Sequence, residues 1–186
     1  VAESDDALVA AVAAGDAAAC RRLVDRHLGR LLAFAQRMLG SRADAEDVAQ
    51  DAFLALWKEA GRWRPDGSAT VSTWLTRVTY NRSIDRLRRQ PSVALDAVPE
   101  PPDPAAGAEA GLQRARVSRR VSEALAQLPE RQRAAILLSH YEGHGNREIG
   151  EALGVGVEAV ESLLARGRRA LRQALAAERA DLMGEV

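Results

Sequence analysis

At 186 residues the chain has room for one ordinary domain or two small ones. Its 26 basic and 26 acidic side chains cancel, so net charge alone points to no nucleic-acid partner. With 37 alanines against 7 aromatic residues, and with sparse Ile and Thr, the composition favours many helices around small cores and excludes a large β-sheet.

Further classes fall away on local grounds. Cys20 stands alone, so no intrachain disulfide framework exists and a reducing compartment fits. No apolar stretch approaches the roughly 18 residues of a membrane span. The acidic start, Glu3, Asp5 and Asp6, is the opposite of a signal peptide's basic one. The expectation is a cytoplasmic protein without membrane insertion.

Charge is unevenly placed. Residues 1–61 are net −3, 62–90 net +5, 91–111 net −4 and 161–175 net +3. Two basic patches flanking an acidic segment say more than the zero total. Five of the seven prolines fall between Pro91 and Pro104. Proline lacks the amide donor and pushes its predecessor out of the helical region, so this stretch reads as an extended linker. The expected organisation is all-α: a first helical domain over 1–90, a Pro-rich acidic linker over 91–111, and a second domain over 112–186. Six of the seven aromatics lie between Phe34 and Tyr80, which predicts separate cores for the two domains.

In chain order, a short helix is expected over 5–14, ended by Gly15. Asp16 is a good N-cap for a long helix running to Leu39 and stopped by Gly40, with Leu23, His27, Leu31, Phe34 and Met38 inward. A helix over 44–60 follows, then turn chemistry at Arg64-Pro65-Asp66-Gly67-Ser68 and a basic helix over 72–89. The second half reads as a helix over 112–128, another opened by Pro129, a short helix over 146–153, a Gly154-Val155-Gly156 turn, and a helix from Val157. Two helices joined by a tight glycine turn form a helix-turn-helix pattern.

On the last helix Val160, Leu164, Gly167 and Leu171 form one stripe. The opposite arc presents Glu158, Ser162, Ala165, Arg169 and Arg172, with Glu161 and Arg166 on its flanks. Such outward residues meet base edges when the second helix of the motif enters the major groove, and arginines further along suit phosphates. The basic helix over 72–89 interleaves arginines with Trp74 and Tyr80, a pattern fit to neutralise and stack on a strand, although Trp74 reads first as core. Asp44, Glu46, Asp47 and Asp51, followed by Phe53 and Trp57, form an acidic helix face with exposed aromatics, suited to a basic partner protein. Its spacing matches no calcium loop. His140 and His144 are a weak zinc pair, because Gly143 and Gly145 break the helix they need, and the remaining glycines match no phosphate loop. No nucleophile–base arrangement is evident. The chain is read as a non-enzyme with no catalytic residue, no metal, no cofactor and no small-molecule substrate.

The runs DAEDVAQDAFLALW (44–57) and STWLTRVTYNRSIDRLRR (72–89) resemble the first conserved domain of bacterial extracytoplasmic-function sigma factors. LPERQRAAILLSHYEGHGNREIGEALGVGVEAVESLLARGRRALR (128–172) resembles their second. The resemblance spans nearly the whole chain in the right order. It implies a transcription-initiation factor that binds core RNA polymerase and promoter DNA and is held in check by an anti-sigma protein. It implies polymerase docking through Asp44, Glu46, Asp47, Gln50, Asp51, Phe53 and Trp57. It places minus-ten recognition and melting at Arg64, Ser68, Arg77, Asn81, Arg82, Arg86, Arg88 and Arg89. Minus-thirty-five recognition falls to Asn146, Arg147, Glu158, Glu161, Ser162, Ala165, Arg166 and Arg169. The sequence departs from the family at Glu161 and Leu163, where members often carry Lys and Arg. Glutamate can accept from cytosine N4 but repels phosphate. The competing class is a conventional helix-turn-helix regulator that binds DNA without being a polymerase subunit; the acidic and basic helices of 44–89 speak against it.

Overall fold

The computed structural model describes residues 3–65, 70–89 and 108–184, with side chains described outside 108–114 and 177–184. Among these residues every regular element is helical: α1 (Asp5–Ala13), α2 (Ala17–Leu39), α3 (Arg42–Glu59), a short 3-10 turn η1 (Ala60–Arg62), α4 (Val71–Arg89), α5 (Ala108–Ala126), α6 (Glu130–His140), α7 (Asn146–Leu153) and α8 (Val157–Gly184).

The boundaries follow from side-chain chemistry at the ends. Ser4 accepts from the Ala7 amide to start α1, and Asp16 accepts from the amides of Ala18 and Ala19 to start α2. Gly40, at φ 71°, ends α2 in the left-handed conformation. Ser41 caps α3 by accepting from the Asp44 amide, so α3 begins two residues before the expected Asp44. Helix α3 gives way after Glu59 to η1, which runs through Gly61. Helix α5 begins at Ala108, inside the stretch read as linker, whereas 90–107 lie outside the described residues. Pro129 stands at the N-cap of α6 rather than within its first turn.

One expectation is overturned. The two halves do not keep separate cores. A single cluster joins Phe34, Met38, Val48, Tyr80 and Ile84 of the first half to Leu125, Leu137, Ile149, Leu153 and Val160 of the second. A smaller cluster under α1 holds Leu8, Val9, Leu23, Phe53, Leu56 and Leu75. The physical reason is size. Alanine-rich helices bury little apolar area each, and pooling the open ends of α2 and α4 with α6 and α7 removes more of it from water. Helix α4 joins both clusters, with Val71 and Leu75 in the smaller and Tyr80 and Ile84 in the larger. Thr76, Thr79 and Ser83 donate to the carbonyls one turn back at 2.9, 2.9 and 2.8 Å, so their buried hydroxyls are satisfied within the helix.

Candidate functional site

Three surfaces carry the residues singled out from the sequence. On α3 the stripe Ala45, Val48, Ala49, Ala52, Phe53 and Leu56 turns inward. Phe53 is therefore core, at 3% exposure, and not part of an exposed aromatic face. Its position continues the inward stripe beside Ala49 and Leu56, and burying a phenyl ring gains roughly 1.5–3 kcal/mol. The outer face presents Glu46, Asp47, Gln50 and Asp51, with Trp57 exposed a turn and a half beyond. Leu54 stands between them, also exposed, and the sequence reading missed it. The signal was available: Leu54 lies four residues from Gln50 and three from Asp51 and Trp57, the spacing of one helix face.

Asp44 and Asp47 are not free carboxylates. Arg86 of α4 donates from Nε to Asp44 at 2.8 Å and lies 3.1 Å from Asp47. The hydrogen bond from Arg86 to Asp44, ahead of the cost of removing water, raises the arginine's pKa. This ties the acidic helix to the basic one, and it engages Arg86, a residue assigned to DNA, within the protein itself. The rest of the basic set lies open: Arg77, Asn81, Arg82, Arg88 and Arg89 are all exposed along α4, and Arg64 is exposed just after η1. Ser68 lies outside the described residues. Trp74 is half-buried, packed against the smaller core cluster.

The helix-turn-helix is built on close backbone approaches. Gly154, at φ 66°, ends α7, and the Val155 amide donates back to the Gly150 carbonyl at 3.0 Å. A Cβ on Gly150 would stand 2.7 Å from the Val155 carbonyl oxygen, so only glycine permits this turn. Gly167 brings α8 onto α6, where a Cβ would stand 2.9 Å from Ile136 Cγ1. Val160 and Leu164 are buried and Leu171 half-buried, the inward stripe read from the sequence. Glu158, Glu161, Ala165, Arg166, Arg169 and Arg172 face solvent. Arg166 donates from Nε to the Ser162 hydroxyl at 3.1 Å, and Arg147 lies 3.2 Å from Glu151, so both arginines are held by their own helices. Asn146 is half-buried at the start of α7, and Leu163 packs against the larger core cluster.

His140 and His144 are kept apart. His140 meets the Tyr141 ring edge to face, while the half-buried His144 turns toward Glu148 at 3.5 Å. Among the described residues no group of three or more His, Cys, Asp or Glu side chains converges on a point, and no helix is long and apolar enough to cross a membrane.

Residues 23–92 match the family Sigma-70 region 2, and residues 118–171 match Sigma-70, region 4. The extracytoplasmic-function RNA polymerase sigma factor SigM of Mycobacterium tuberculosis is 36% identical over 175 residues, covering 92% of this chain and 85% of its own. The chain belongs to the extracytoplasmic-function sigma factors. A second relative, SigE of Mycolicibacterium smegmatis, is 34% identical over 171 residues; 88% of this chain aligns, spanning 65% of that protein. Among solved structures, CnrH in complex with the cytosolic domain of CnrY is similar at a TM-score of 0.70 and 31% identity, over 94% of this chain and 99% of CnrH. The sigma factor RpoE in complex with the anti-sigma factor NepR from Bartonella quintana shares the fold at a TM-score of 0.65 and 20% identity, over 84% of this chain and 96% of that one. The members of this family are transcription-initiation factors.

Proposed function

We propose that this sigma factor is an alternative, cytoplasmic subunit that binds core RNA polymerase and directs it to specific promoters under the control of an anti-sigma protein. The observation that carries the reading is the ordered pair of region 2 and region 4 matches on one chain. In residue terms, the outer face of α3, with Glu46, Asp47, Gln50, Asp51 and Trp57, docks on a basic element of the polymerase. Arg77, Asn81, Arg82, Arg88 and Arg89 of α4, with Arg64 before it, engage the minus-ten strand. Arg166 and Ser162 of α8 read bases upstream, while Arg169 grips phosphate.

The shared core bears on control. Elements two turns of B-DNA apart are separated by roughly 70 Å, too far for two units whose apolar faces are buried together. Promoter binding therefore requires the cluster joining Tyr80 and Ile84 to Ile149 and Leu153 to part. The solved neighbours are complexes, one with the cytosolic domain of CnrY and one with the anti-sigma factor NepR. A partner of that kind, competing with the polymerase for this chain, would keep transcription off without destroying the sigma factor.

The test is transcription with purified core polymerase on a genomic promoter library. The isolated chain neutralises few phosphates and should bind duplex DNA weakly, with specific initiation appearing only with core enzyme. Tight sequence-specific binding by the chain alone would instead favour a conventional regulator.

A further inference from the structure

Two tryptophans stand at the ends of the segment that leads into α4, and α1 holds one of them. Trp63 follows η1 in extended backbone, with Arg64 exposed next to it. Thr70 opens α4, its hydroxyl accepting from the Thr73 amide at 3.1 Å, and Trp74 lies one turn further on. The Trp63 and Trp74 rings meet edge to face with centroids 6.2 Å apart, joining the two ends. The Trp63 indole N–H donates to Asp6 Oδ1 at 2.8 Å, across 57 positions of sequence.

The acidic start of the chain has no part in polymerase docking as assigned above, yet each acid has a distinct partner. Glu3 takes Arg22 at 2.6 Å, and Asp5 takes Arg26 and His27, both at 2.8 Å. These pairs fasten α1 to α2. Asp6 does not join them; its partner is the tryptophan beside the promoter-facing segment. With Leu8 and Val9 fully buried beneath it, α1 has its packing without this contact. A carboxylate accepting from an indole N–H is a charge-assisted bond with a narrow geometry, suited to setting the position of a ring.

We propose that Asp6 is a positioning residue for promoter opening, holding Trp63 so that the paired tryptophans fix where Arg64 and the start of α4 stand against the melted strand. The inference rests on the sigma-factor reading and adds to it a role for α1.

The experiment compares holoenzymes carrying the wild type, Asp6→Ala, Trp63→Phe, the double variant, and Glu3→Ala, on a promoter recovered from the library. Opening is followed by permanganate reactivity on duplex template and on the same template with an unpaired bubble at the minus-ten element. Asp6→Ala should slow duplex opening by about tenfold, the loss of one charge-assisted bond. It should assemble with core polymerase as the wild type does and initiate normally on the bubble. Trp63→Phe keeps an aromatic side chain beside Trp74 and loses the N–H donor, so it should match Asp6→Ala, and the double variant should be no slower than either. Glu3→Ala, which loosens α1 without touching Trp63, should open at the wild-type rate. Normal duplex opening by Asp6→Ala, equal slowing by Glu3→Ala, or additive effects in the double variant would overturn the proposal. A wild-type chain that fails to support initiation even on the bubble would overturn the sigma-factor reading itself.

Discussion

Arg133 of α6 donates from Nη1 to the main-chain oxygen of Met38, 2.7 Å away in the last turn of α2. Its Nη2 also serves the carbonyls of Ala126 and Leu128, the latter at 3.3 Å. A buried guanidinium thus joins the C-terminal end of a region 2 helix to the hinge before α6, where helix carbonyls carry partial negative charge. Burial lowers the Arg133 pKa, with only the charge of Glu130 working against it. Around this contact Arg37 lies over the Tyr141 ring at 4.2 Å and Arg30 stands 3.1 Å from Glu142 while donating to Ser72.

The first prediction follows from that contact. Arg133→Ala leaves three carbonyls at the seam without their donor, and it should cost about 2–3 kcal/mol of stability. Urea unfolding of the purified chain measures it. A loss below ~0.5 kcal/mol would mean that the guanidinium contributes no more than an exposed charge.

Gly167→Ala forces a methyl to within 2.9 Å of Ile136 Cγ1 and should destabilise by about 1–3 kcal/mol. Combining it with Ile136→Ala should recover part of the loss, because the truncated partner leaves room. Thermal unfolding of the two single variants and the pair checks the coupling; strict additivity would contradict the close approach of α8 to α6.

Replacing Asp47 and Asp51 together with Lys should abolish co-purification with core polymerase while changing stability by under ~0.5 kcal/mol. Asp51 is exposed, and the Asp47 carboxylate is 61% exposed beside Arg86, so neither supports the core. A folded double variant that still binds core enzyme would remove α3 from the docking surface.

The half-buried His144 gives a pH signature. Burial lowers its pKa, assisted by Arg30 and opposed by Glu148. A depressed folded pKa means the native state favours the neutral ring, so stability is full above the ordinary value near 6.5 and is lost as pH falls below it. Glu142 works the other way: burial raises its pKa against Arg30 and Arg37, so its contribution falls as pH rises through the carboxylate range. Stability should therefore decline on acidification from about pH 6.5 toward 5, and His144→Gln should flatten that limb in unfolding measured across the range. An unchanged slope in the variant would place the titration elsewhere.

Arg169→Ala on α8 should weaken upstream promoter binding by the holoenzyme about equally for all sequences and reduce the salt slope by roughly one, as expected for a lost phosphate contact. Arg166→Ala should instead alter preference at a single base pair, by about 1–3 kcal/mol. Binding isotherms over a salt series and a set of single-base promoter variants separate the two.

The elements were legible because their signals are local. Asp16, Gly40 and the Gly154 turn mark their ends by capping chemistry, and Val160, Leu164 and Gly167 mark the inner face of α8 by helical spacing. The same spacing rule, counted through α3, places Phe53 inside with Ala49 and Leu56 and Leu54 outside with Gln50 and Trp57. What pattern could not supply was partnership between distant elements. Nothing local says that Arg86 will lie against Asp44, that Asp6 will reach Trp63, or that Tyr80 and Ile149 will share one core. An apolar face must be covered, and periodicity states only that it exists; which face covers it depends on how the helices together remove the most surface from water, a sum over the whole chain that no single stretch contains.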